Sequence, residues 1–308
     1  IGEKAINDIK EGNPLFKSDY QNIITAKKEY KFNRKWALPV RYHDINNLLN
    51  ITSPDLIEFH MSFNDLNESP EDFLNRKYTC GFLVHAPELF ENDHLLDLCT
   101  DNNSYRKKSV SHMKKLINVT KGLKKYFPNT EKPLIIVNCG GFSKDSFLKV
   151  ELKNSYYENL IKSINELDLE GVEILPQTMA PYPWHFGGQR YQNLFMDIKE
   201  IVDFNKKSGI RVCHDISHSF LACNKFKWDH AAYTKILAPL TAHYHISDGH
   251  GVDGEGLQIG QGDIDFEKLL PIINKYSQNA SFIPEVWQGH TNNGEGFWIS
   301  LKKLEGRL

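Results

Sequence analysis

The chain has 308 residues, 40% of them hydrophobic and 25% charged, and a formal net charge of −2. Those values suit a globular protein with a sizeable core and give no global reason to expect nucleic acid as a partner. No apolar run approaches the roughly 20 residues that span a bilayer, and no signal peptide opens the sequence.

The five cysteines, Cys80, Cys99, Cys139, Cys213 and Cys223, are odd in number and widely spaced. That pattern favours reduced thiols in a cytoplasmic protein over a disulfide framework. The chain begins at Ile1 without an initiator Met, which leads us to expect a fragment of something longer. Residues Ile1 to Leu15 resemble the closing segment of the SAF (antifreeze-like) domain that ends bacterial sialic acid synthases. That resemblance implies an upstream module of this kind and a role in nonulosonic (sialic-type) acid biosynthesis. We therefore expect residues 1–33 to be an N-terminal extension and residues 34–308 to form the main domain.

From there, short apolar runs alternate with helical segments. The runs are Ala37 to Tyr42, Leu56 to His60, Cys80 to Val84, Leu134 to Val137, Val172 to Leu175, Ile210 to Cys213, Ala242 to Ile246 and Ser281 to Pro284. Helices are expected at about Ser104–Phe127, where Pro128 is a stop, and at Tyr156–Leu167. Others are expected at Leu194–Lys207 with Gly209 as C-cap, Asp229–Leu237, Phe266–Tyr276 and Phe297–Leu304. Apolar strands separated by crossover helices make a parallel sheet, and eight is the number that closes a (β/α)8 TIM barrel. No Gly-x-Gly-x-x-Gly follows the first run, which counts against a dinucleotide-binding sheet.

In such a barrel, chemistry sits where the C-terminal ends of the strands converge. The later runs offer Glu173, then Asp215 with His218, then His245, then Glu285. A charge in an otherwise apolar strand needs a partner or a metal. Three carboxylates and one imidazole form an oxygen-rich set suited to Mn, Mg or Co more than to a thiolate-type zinc site. Arg41, His43, His60 and the stretch Trp287 to His290 are further pocket candidates. Pro183 to Arg190 could contribute Trp184 and Phe186 for stacking on a sugar, and His185 and Arg190 for hydroxyls or a phosphate. Gly140 and Gly141 could bring backbone N–H groups to an anion.

The set Glu173, Asp215-Ile-Ser-His218, His243-Tyr-His-Ile-Ser-Asp248 and Pro284-Glu285, with Ile259-Gly-Gln-Gly-Asp-Ile-Asp-Phe266 behind it, resembles the xylose-isomerase-like TIM-barrel superfamily. That superfamily holds sugar isomerases and epimerases and the endonuclease-IV-type AP endonucleases. The resemblance implies a metal-dependent sugar isomerase or epimerase. One divalent ion (Mn, Mg, Co or Zn) would be held by Glu173, Asp215, His245 and Glu285, with Glu173 and Glu285 as the acid/base pair. It also implies substrate contacts from His218, His85, Trp184, His185, Arg190 and His250, with a small sugar as the ligand and a homo-oligomer left open. The three-zinc endonuclease pattern is poorly matched, because the fourth run ends in Asn138-Cys139 and the Asp-x-His positions fall on Gly254 and Gly256. A phosphodiesterase is the competing reading, and a dehydratase on the same scaffold is another. An arginine that some ketose epimerases carry six residues after the strand-seven histidine is Gly251 here.

Overall fold

The computed structural model describes residues 4–6, 8–12, 15, 19–20, 26–185 and 188–308. Eight parallel strands form the frame: β1 Ala37–Val40, β2 Leu56–His60, β3 Gly81–His85, β4 Leu134–Val137, β5 Glu173–Pro176, β6 Val212–Asp215, β7 Thr241–Ile246 and β8 Ser281–Pro284. Hydrogen-bonded order follows the chain, with β1 to β5 in one ladder and β6 to β8 in another. Bridges Gln177↔Cys213 and Trp36↔Phe282 join the two ladders into a closed barrel. All eight expected runs are strands.

Helices α1 Ile45–Ile51, α2 Asn103–Leu123, α3 Val150–Asn165, α4 Ile198–Ser208, α5 Ile216–Phe226, α6 His230–Leu237, α7 Phe266–Tyr276 and α8 Thr291–Leu304 are arranged around it. The α4 helix ends as expected at Gly209, with φ +71° and its N–H donated to the Asn205 carbonyl. Only a short 3-10 turn, Pro70–Asp72, interrupts the link from β2 to β3, so that crossover carries no α-helix. The α5 helix was not anticipated. It starts directly from the end of β6, with Asp215 as its N-cap.

Alternation along the strands separates two cores. The barrel interior holds Ala37, Leu83, Ile136, Leu175, Cys213, Ala242 and Ile283. The larger core lies between strands and helices. Aromatic packing begins before the boundary expected at residue 34. Tyr30 is buried and meets Trp36 edge-on at 5.4 Å, and Phe32 meets Phe282 at 4.9 Å, so residues 30–33 pack as part of the barrel. All five cysteines are unpaired, and among the described residues no helix is long and apolar enough to cross a membrane.

The β6–α5 corner is braced from outside by a polar chain. Ser219 Oγ lies 2.9 Å from both His214 Nε2 and His230 Nε2. Burial lowers both imidazoles, that of His230 to about 4. In the unfolded chain these groups protonate near 6.5. The stability they contribute is therefore complete above pH 6.5 and is lost as pH falls towards 4. Thermal denaturation followed across that window should show a falling midpoint, and His230→Asn should flatten the slope.

Candidate metal and sugar site

Towards the C-terminal ends of the strands, the barrel interior turns polar. His60 on β2, His85 on β3, Gln177 after β5, Asp215 on β6, His245 on β7 and Glu285 after β8 all line or border one cavity of about 320 Å³ at the C-terminal mouth. Around them stand Arg41, Glu88, His218, Glu255, Trp287 and His290. Glu285 Oε2 is 2.7 Å from His245 Nδ1, and Asp215 Oδ2 is 4.0 Å from the same nitrogen. His85, His245 and Glu285 each direct a donor atom to within 4.8 Å of the others. The Gln177 amide sits among them. Its Nε2 donates to Asp215 Oδ2 at 3.1 Å and lies 3.2 Å from His245 Nδ1, while its Oε1 is 3.0 Å from His85 Nε2.

Below this ring is a residue the sequence reading missed. Glu58, in the middle of β2, is fully buried. His60 Nε2 and His243 Nε2 each lie 2.9 Å from one of its oxygens, though poorly aligned for hydrogen bonds. His245 Nε2 lies 3.2 Å away. Burial alone would raise this carboxyl, but the three histidines outweigh it and hold it well below the usual range. With Nε2 facing Glu58, His245 presents Nδ1 to the mouth, as a metal-ligating imidazole held by a carboxylate behind it would. A glutamate within the run Leu-Ile-Glu-Phe-His was the available signal.

Glu173 does not reach this site. It is the first residue of β5, at the opposite end of the barrel, and both its carboxylate oxygens bind Arg211 at 2.8 and 2.9 Å. Side chains alternate, so Glu173, Leu175 and Gln177 share one face of the strand at successive levels. The mouth position of β5 therefore belongs to Gln177. Strand direction explains the misplacement: the glutamate opens β5, and it is the C-terminal ends of the strands that reach the mouth,.

The other expected contacts divide. His85 and His218 line the cavity, as do Arg41, His60, Trp287 and His290. His218 Nδ1 is 3.0 Å from the Thr178 carbonyl, and its Nε2 is 3.1 Å from Glu255 Oε2. Burial pushes the His218 imidazole down, but Asp215, Glu255 and Glu285 overcome this and raise it to about 10. Burial pushes Asp215 up to about 6.

Trp184, His185, Arg190, His43 and His250 are not among the lining residues. Trp184 is 71% exposed on a short hairpin, and His185 packs on Phe142 with Nδ1 3.4 Å from Glu88. The Arg190 guanidinium turns back to the Gln189 carbonyl. His250 faces solvent and pairs with Asp263 at 2.6 Å. Phe186 lies outside the described residues. The Gly140 and Gly141 N–H groups are directed to Asn138 Oδ1 and Asp97 Oδ1, which leaves them no role with an external anion.

A family model described as xylose isomerase-like TIM barrel matches residues 55–304. The chain belongs to that family. Several solved structures share its barrel at low identity. A D-tagatose 3-epimerase-like protein has 19% identity and a TM-score of 0.60, covering 87% of this chain and 94% of its own. The 3-keto-D-glucoside 4-epimerase from E. coli has 12% identity and a TM-score of 0.55 over 88% and 99%. Endonuclease IV from Thermus thermophilus has 11% identity and a TM-score of 0.54 over 87% and 97%. A comparison with curated protein sequences finds no match.

The geometry separates the two glutamates experimentally. Glu173→Gln should leave Mn²⁺ affinity unchanged and alter stability by no more than about 1 kcal/mol, as for an exposed ion pair. Glu58→Gln should weaken Mn²⁺ binding by about 10- to 100-fold, the usual cost of losing a residue that orients a ligand. Calorimetric titration of the two variants beside the parent protein checks both.

Proposed function

We propose that this protein is a divalent-metal-dependent enzyme acting on a small ketose or ketose derivative as an isomerase or epimerase. The observation that carries the reading is the convergence of Asp215, His245 and Glu285 at the mouth of the barrel. Two carboxylates and an imidazole fixed from behind by Glu58 form a donor set that fits a hard or borderline divalent ion. Asp215, His245 and Glu285 would hold it, with His85 or the Gln177 amide oxygen completing the set. When bound, such an ion polarises a carbonyl and balances negative charge that develops on its oxygen. Glu285 would take the proton from the carbon beside that carbonyl, since its carboxylate opens into the cavity beside His245,. His218 and His60 can hydrogen-bond sugar hydroxyls, and Trp287 offers an apolar wall.

The names of the structural relatives include several sugar epimerases, which agrees with this assignment. Gln177 is the departure. An amide cannot take up or release a proton near neutral pH, so the acid/base pair implied by the resemblance lacks its strand-five member. That favours a dehydratase as second reading, because elimination of water begins with a single proton abstraction next to a carbonyl. The phosphodiesterase reading loses ground, since Gly254 and Gly256 supply no ligand side chains. The family match begins at residue 55 and does not touch Ile1 to Leu15, so the sialic-type pathway has no support beyond that short resemblance.

Elemental analysis of protein purified without chelators should find about one Mn, Co, Mg or Zn per chain, since each donor set of this kind holds one ion. Asp215→Asn should lose it. Wild-type protein incubated in deuterated water with D-fructose, D-tagatose, D-psicose or L-ribulose should incorporate deuterium beside the carbonyl, and proton NMR reads both exchange and product. Absence of exchange from all four, with cleavage of abasic DNA instead, would overturn the assignment. Loss of water from the sugar would select the dehydratase.

A further inference from the structure

Inverting a carbon centre requires proton transfer on both of its faces, and β5 delivers Gln177 where a second carboxylate is needed. Another carboxylate reaches the same cavity from above. The segment after β7 folds back as a hairpin, in which Asp248–His250 pairs with Gly254–Leu257. Glu255 lies on the returning strand and lines the cavity together with Asp215, His218 and Glu285.

The hairpin is built to hold its position. Asp248 Oδ1 accepts the N–H groups of Gly249 and Ile264, and its Oδ2 accepts that of Gly260. The Trp287 N–H donates to the Gly256 carbonyl at 2.7 Å, which ties the hairpin to the exit of β8. Glycines flank Glu255 for steric reasons. A Cβ at position 254 would lie 2.8 Å from the His250 carbonyl oxygen, and Gly256 has φ +70°. Residue 255 is the side chain that this turn presents to the cavity.

Its carboxylate has a fixed partner. Glu255 Oε2 lies 3.1 Å from His218 Nε2, and the opposite ring nitrogen of His218 is anchored on the Thr178 carbonyl at the exit of β5. Glu285 enters from β8 and touches His245. Glu255 leaves a backbone tied to the β8 exit and directs its carboxylate across to His218 in the first turn of α5. The His218 contact sets Glu255 over the β5–β6 exits, the side on which Gln177 offers no base.

We propose that Glu255, oriented by His218, is the second proton-transfer residue of this site and acts opposite Glu285. This assignment rests on the ketose reading above. In one direction Glu285 removes the carbon-bound proton. The C–H electron pair becomes the carbon–carbon double bond, and the carbonyl π pair moves to oxygen. The proton shared between His218 Nε2 and Glu255 then bonds to the same carbon on the other face, and the oxygen pair re-forms the carbonyl. Glu285 is left protonated and the His218–Glu255 pair one proton short. Exchange with water resets both, and the reverse reaction swaps their parts.

The test uses whichever of the four ketoses the Mn²⁺-loaded wild type exchanges in deuterated water. In E255Q, deuterium should still enter the starting sugar with retention, driven by Glu285. The inverted product should fall by about 100-fold or more, the usual contribution of a positioned acid or base. Metal content should be unchanged, and KM should stay within about threefold, because the loss is confined to the chemical step. Formate added to E255A should restore part of the inversion, and E285Q should lose exchange and inversion together. Inversion by E255Q at the wild-type rate would overturn the proposal, as would joint loss of inversion, exchange and metal. If the wild type exchanges none of the four ketoses, the reading of the site fails first and the role of Glu255 falls with it.

Discussion

A carboxylate sealed inside the barrel governs what the mouth can be. Glu58 is fully buried, and a lone charge there would be prohibitively unstable,. Three histidine rings surround it, from β2 itself and from two levels of β7. Removing any one partner leaves charge uncompensated in a dry interior, so the group stands or falls as a unit. The arrangement has a direction. Because His245 commits Nε2 to Glu58, its other nitrogen faces upwards, where Glu285 and Asp215 converge. The chemistry at the mouth is therefore set one layer below it.

The frame itself was legible in the chain. Each strand is a short apolar run closed by polar or turn-forming residues, and both sides of such strands are covered, so the pattern is continuous instead of alternating. Helix α7 matches its expected bounds because Phe266, Leu269, Leu270 and Ile273 mark one buried face. Helix α5 escaped notice because Ser217, His218 and Ser219 look like loop, although they begin a helix capped by Asp215. The opening of α8 was similarly hidden, since Asn292, Asn293 and Gly294 adopt left-handed backbone before the regular turns begin.

At the site, legibility followed charge, and that filter both succeeded and failed. Asp215, His218, His245 and Glu285 were found because each lies at or just beyond the C-terminal end of an apolar run. Glu173 was chosen for its charge, although it opens β5 and pairs with Arg211 at the far end. Gln177, four residues later on the same face, carries no charge and passed unseen. Counting alternate positions from Leu175 would have found it. Glu255 was equally obscure, since its placement depends on a hairpin fold and on two neighbouring glycines, neither of which a strand-by-strand reading can supply.

Asp215 uses its two oxygens for different tasks. Oδ1 accepts the His218 N–H and the Ser217 hydroxyl and so closes the first turn of α5, while Oδ2 receives the Gln177 amide at the mouth. One side chain thus terminates a helix and borders a ligand site. Anything that binds Oδ2 draws on the same carboxylate that stabilises the positive end of that helix. A ligand on Oδ2 and the first turn of α5 would thereby share one carboxylate, and any coupling between them is reciprocal.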